Sequence, residues 1–192
     1  MAAKKAPAIS IKKADYPNIP AASFKELLSY YKRTLVTERK IKNALAKRDA
    51  EWAGKKNQPD VQRLVISIEW SNSRTWGACP TASYEVYYAN GKMSRKQKAA
   101  HASGCGYDKE STVVAQVFNM TCLGMATKRL KSAAGKKSKP YGVYSTTSGV
   151  FFDGGIGMSC YRTIAEWLGG KMEHTSSSRN FDVYTFTFKK RK

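Results

Sequence analysis

The side chains best equipped for chemistry are few: two histidines, four cysteines and fourteen acids. His101 and Cys105 lie four residues apart, and His174 is the second histidine. A cysteine nucleophile needs an imidazole base to draw off its proton, so Cys105 with His101 or His174 is one candidate pair. His101 and Cys105 with two of Cys79, Cys122 and Cys160 would give a zinc site its donor types. No CxxC pair supplies the spacing such sites use, and ordinary buried reduced thiols are the favoured account of the four cysteines. Among the acids, Glu69, Glu85, Asp108 and Asp153 fall near expected strand ends, where a two-metal nuclease gathers carboxylates. Their spacing matches no known arrangement, and scattered acids on so basic a chain also serve as partners for lysine. The expectation is a protein with no catalytic set, no resident metal and no cofactor.

A second chemical signal is glycine. SGCGYDKES (103–111) and DGGIGMS (153–159) each place a Gly-x-Gly ahead of an expected helix. Shifting the first by 51 residues lays Gly104 on Gly155, Gly106 on Gly157 and Thr112 on Thr163, a weak repeat of 104–118 in 155–169. Glycine permits positive φ and close backbone approach, and the amides that open a helix attract anions. Lys109 and Arg162 would add charge to such an anion site. The third glycine of a dinucleotide fingerprint and the GK[ST] of a phosphate loop are both absent. Two motifs at one end of a sheet, bringing two helix N-termini together, are expected; plain structural turns are the alternative.

The strongest bulk signal is charge. Thirty-four Lys+Arg against fourteen Asp+Glu give a formal net charge of +20. Such an excess repels itself and is relieved by a polyanion, most simply nucleic acid, whose phosphates release counterions when neutralised. The candidate contacts are Arg33, Lys40, Arg74, Trp76, Lys109, Lys128, Arg129, Lys136, Lys137, Lys139, Arg162 and Lys190. Arg74 and Trp76 join a cation to a ring on which a base could stack. The reading is a non-catalytic DNA- or RNA-binding protein with little base specificity. One alternative is a small effector, encoded by a phage or mobile element, that binds a nucleoprotein complex, as an anti-CRISPR or other anti-defence protein does. A metal-dependent nuclease is the second. Without an apolar run of about 18 residues or a signal-like N-terminus, a cytoplasmic protein with no membrane partner is expected.

These residues need elements to hold them. Residues 1–22, with Lys4, Lys5, Lys12, Lys13 and three prolines, read as a flexible basic arm. Ser23 and Glu26 form a capping box for one long basic helix over 24–52. Period-two patterns over 63–70, 83–88 and 181–188 predict strands, with a lysine-rich edge strand over 92–102 after the Asn90-Gly91 turn. A loop is expected over 71–80, a helix over 108–126, a mobile basic loop over 128–139, β structure over 141–153 and a helix over 159–168 closed by Gly169. Together they predict a single α+β domain over 23–188 and a basic tail over 189–192. Its antiparallel sheet would have about four to six strands, with helices on one face. The helix–strand–strand–strand–helix order of 23–126 resembles, in element order alone, the double-stranded-RNA-binding domain. That family puts a basic motif at the start of its last helix, where this chain has Lys109.

Overall fold

The computed structural model describes residues 10–73, 77–101, 109–146, 149–178 and 180–189. Arg74, Trp76, Gly104, Gly106 and Lys190 lie outside these, as does the side chain of Lys109. The chain divides into two compact units, one of Met1–Gly54 with Thr146–Ser148 and the other of Lys55–Ser145 with Gly149–Lys192.

The first unit holds a 3-10 turn at Lys13–Asp15, helix α1 at Ala21–Thr34 and most of α2, Glu38–Lys56. The expected single helix over 24–52 is therefore two. Leu35 is extended (φ −116°, ψ 128°), and it is followed by the β-branched Val36 and Thr37, whose stiff side chains disfavour helix. Thr37 then restarts the helix, its hydroxyl accepting from the Lys40 amide at 3.3 Å. Helix α1 itself opens two residues before Ser23, directly after Pro20. Ahead of it, the Asn18 and Ile19 amides both donate to Asp49 Oδ1, at 2.8 and 3.2 Å. Tyr16 stacks on Phe24 with ring centroids 5.8 Å apart, and Tyr16 and Ile19 are buried.

The second unit is built on strands β1 (Val61–Ser73), β2 (Gly77–Tyr88), β3 (Met93–His101), β6 (Gly170–Ser178) and β7 (Phe181–Phe188). They form one antiparallel sheet in the order β3-β2-β1-β7-β6. Between β3 and β6 the chain makes α3 (Lys109–Thr121), α4 (Leu123–Lys131), α5 (Ala133–Lys137), the small pair β4 (Val143–Thr146) and β5 (Gly149–Phe152), and α6 (Met158–Trp167). The α+β class and the antiparallel sheet are as the sequence predicts. Strand alternation sets the faces. Leu64, Ile66, Ile68, Val86 and Phe186 are fully buried on one side, while their neighbours Val65, Ser67 and Glu85 are half-exposed. Helix α3 covers the buried side through Phe118, whose ring lies edge-on to Phe152, Tyr161 and Phe186 at 4.8–5.2 Å.

Several expected loops are ordered secondary structure. Of the expected 71–80 loop, residues 71–73 and 77–80 are paired strand, with Ser71 opposite Cys79 and Ser73 opposite Gly77. The 108–126 helix breaks at Cys122 (φ −106°, ψ 2°) into α3 and α4. The basic stretch 128–139 is no mobile loop: it is the end of α4 and all of α5, with the Ser132 hydroxyl capping the Gly135 amide at 3.0 Å. Strand β6 has only Met172 as a large apolar residue, so period-two apolarity does not reveal it. At the other edge, β3 carries an irregularity around Lys98, which has φ 50°, and residues 91–98 are exposed throughout.

Two glycines test this packing in opposite directions. A side chain on Gly135 would run into the carbonyl of Arg129, and the Gly135 carbonyl accepts from Trp167 Nε1 at 3.1 Å. Gly135→Ala should cost about 1–3 kcal/mol by overpacking. A side chain on Gly54, in α2, would meet nothing within 4 Å, so Gly54→Ala should stabilise by about 0.5–1 kcal/mol. Urea denaturation of both variants gives the two signs.

Candidate functional site

The expected basic contacts that the structure describes are divided between the two units. Arg33 and Lys40 are exposed on the helices of the first unit. Lys128 is engaged within the second: its Nζ sits 2.8 Å from Asp60 Oδ1 and 3.2 Å from the Gln58 carbonyl. Arg129 is half-buried, with Nε lacking a hydrogen-bond partner. Lys136, Lys137 and Lys139 are exposed where α5 ends, and Arg162 is exposed on α6. Of the predicted set, then, the structure brings together the lysines of 136–139 and turns Lys128 into a structural ion pair. Among the acids, Glu85 pairs with Arg95, and Asp153 Oδ1 accepts from the Gly155 amide at 2.8 Å. Glu69, Glu85 and Asp153 form no common three-ligand group. Burial pushes the Cys122 thiol up to about 12, which keeps it protonated at neutral pH.

The second glycine motif is a turn held against the start of α3. The Ser111 and Thr112 hydroxyls both donate to the Gly154 carbonyl, at 2.8 and 3.2 Å. A Cβ on Gly154 would lie 2.8 Å from Thr112 Cα, so this glycine is required by close approach. Gly157 has φ −70° and precedes α6 without strain, and Gly155 is not in the positive-φ region either. The expected need for glycine at 155 and 157 is thereby moved to Gly154. Tyr161, in α6, closes the turn by donating to the Asp153 carbonyl at 2.9 Å.

One residue before Ser111, the same first turn of α3 contributes Glu110 to a polar cluster on the helix-covered face of the sheet. His174 of β6 lies directly opposite Tyr184 of β7, and their rings stack at 4.5 Å with an 11° interplanar angle. His174 Nε2 is 2.8 Å from Asp182 Oδ1. Trp70 Nε1 donates to the other oxygen, Oδ2, at 2.9 Å. The Tyr184 hydroxyl donates to Glu110 Oε1. Burial, then the Glu110 carboxylate, holds that hydroxyl well above the ordinary tyrosine range, so it remains a donor. The cluster is open on one side: the side chains of His174 and Asp182 are 41% and 20% exposed, whereas Tyr184 is 4% exposed. One ligand atom each from Glu110, His174 and Asp182 lies within 4.8 Å of the others. Sequence reasoning missed this group because β6 was not legible, and with it the register that sets His174 beside Tyr184. The one available signal was the Asp182-x-Tyr184 pair, which a strand places on one face.

Set beside models of known protein families, characterised proteins and solved structures, the chain matches none.

Tyr161 generates a pH test. Burial, aided by Asp153, raises its hydroxyl pKa above the ordinary 10.0. A raised acid binds its proton more tightly in the folded state, so its stabilisation is complete below about pH 10 and fades as pH rises further. Denaturation midpoints should fall above pH 10. In Tyr161→Phe that fall should be shallower, with stability at pH 7 lower by about 1 kcal/mol for the lost hydrogen bond.

Proposed function

We propose that the protein binds nucleic acid through contacts to the phosphate backbone, without reading base sequence. The observation that carries this reading is the net charge of +20 together with where the cations sit. Lys136, Lys137 and Lys139 project from α5 and just beyond it into solvent. Ion pairs engage Lys42, Arg48, Arg95, Lys128, Lys171 and His174. A basic edge adds to this: Lys92, Arg95, Lys96 and Lys98 are all exposed on or beside β3. A groove of about 260 Å³, lined by Ser67, Ser83, Tyr84, Glu85, Arg95 and Lys96 among others, runs along that side of the sheet. Lysine is a flexible point charge suited to phosphate rather than to base edges. No specific observation raises the effector reading to the same level.

Filter binding of DNA and RNA of unrelated sequences across a salt series tests the proposal. Affinity should fall steeply and similarly for all sequences as salt rises. The combined change Lys136→Ala, Lys137→Ala and Lys139→Ala should lower the logarithmic salt slope by up to about 3, roughly one for each phosphate contact. Absence of retention on the filter at low salt would overturn the reading. A stoichiometric protein that stays bound after nuclease treatment would replace it with the effector reading.

A further inference from the structure

We infer that Glu110, His174 and Asp182 form a binding site for one divalent transition-metal cation. The inference is independent of nucleic-acid binding and rests on the polar cluster alone.

The donor set is one imidazole nitrogen and two carboxylates, which suits Zn²⁺, Mn²⁺, Co²⁺ or Fe²⁺ better than the all-oxygen shells of Ca²⁺ or Mg²⁺. The spacing fits as well. Two ligands each about 2.0–2.1 Å from an ion stand about 3 Å apart at a right angle. His174 Nε2 and Asp182 Oδ1 are 2.8 Å apart. All three ligand atoms lie within 4.8 Å, and Glu110 has the side-chain torsions to close the remaining distance. Binding of a cation would replace the His174–Asp182 hydrogen bond and release its proton.

Each ligand also has an orienting neighbour. Trp70 takes Oδ2 of Asp182 and leaves Oδ1 toward His174. Tyr184 takes Oε1 of Glu110, and its ring lies flat against the imidazole and limits its rotation. Support of this kind, from outside the coordinating atoms, distinguishes a metal site from a chance meeting of charges. The ligands come from three elements, α3, β6 and β7, so the site exists only in the folded chain. Its partial exposure leaves room on one side for water or an anionic ligand. Three protein ligands with an open position is the arrangement of reactive rather than purely structural metal sites.

The test uses the full chain and Mn²⁺, an ion that thiols hold weakly, so that the cysteines do not compete. Equilibrium dialysis, with Mn²⁺ electron paramagnetic resonance as readout, should show one ion per chain. The ion should be lost in His174→Gln and in Asp182→Asn, both of which keep a polar side chain in place. Tyr184→Phe, which removes only the orienting hydroxyl, should weaken binding by about 10–100-fold. Co²⁺ should give a visible absorption band that disappears in His174→Gln. Circular dichroism selects the variants with a native spectrum, and the comparison is made on those. Failure of the folded wild-type protein to bind Mn²⁺ or Co²⁺, or equal binding by folded His174→Gln, would overturn the assignment. The cluster would then be two hydrogen-bonded pairs, His174–Asp182 and Tyr184–Glu110.

Discussion

Phe118 is the side chain on which the second unit depends. Three rings from three other elements meet its edges or face: Phe152 of β5, Tyr161 of α6 and Phe186 of β7. All four residues are essentially excluded from water. Edge-to-face pairs each add about 0.5–1.5 kcal/mol beyond the apolar area they bury. Their geometric effect matters as much. A ring held on three sides fixes the height of α3 above the sheet and its rotation about its own axis. That rotation directs Glu110 toward β7 and sets Thr112 against Gly154. The polar cluster and the glycine turn thus both follow from one aromatic contact set about two helical turns away.

The sheet imposes a second constraint, its register. In an antiparallel sheet a slip of one residue sends every side chain to the opposite face. His174, Tyr184 and Ile66 occupy one row across β6, β7 and β1, and Asp182 and Ile68 the next. The buried isoleucines and Phe186 lock β7 against β1, and the short β6–β7 turn carries that lock outward to β6. Polar residues at the rim of this face therefore inherit their placement from the apolar residues beside them. This is how a chain with few acids comes to hold two carboxylates and an imidazole together.

What could be read in the sequence follows from which patterns are local. Strand β7 is legible to the residue, since Tyr184, Phe186 and Phe188 alternate cleanly. The Asn90-Gly91 turn and the Gly169 helix end are legible too, because positive φ has few alternatives to glycine, and both glycines do have it. Strand β6 was hidden because Lys171, Glu173, Thr175 and the serines carry no apolar alternation, and its strand character comes from pairing with β7. The break at Leu35 was hidden because only the β-branched Thr34, Val36 and Thr37 mark it, in a run over 21–52 without glycine or proline. The end of α4 and all of α5 were hidden by their lysines, which resemble a loop in composition, while the cap at Ser132 and the buried Gly135 are visible only once the neighbours are placed. The candidate cluster was illegible for the same reason: Glu110 is separated from Asp182 by 72 positions along the chain, and pairing alone joins them.

The exposed outer strand β3 has a consequence of another kind. A sheet edge offers unpaired amides and carbonyls to any extended segment that drifts against it. Here the approach is guarded by Arg95, Lys96 and Lys98, and the irregular backbone at Lys98 interrupts the straight ladder an incoming strand would need. Only a segment rich in carboxylates could add there without electrostatic cost. The edge therefore filters its company by sign.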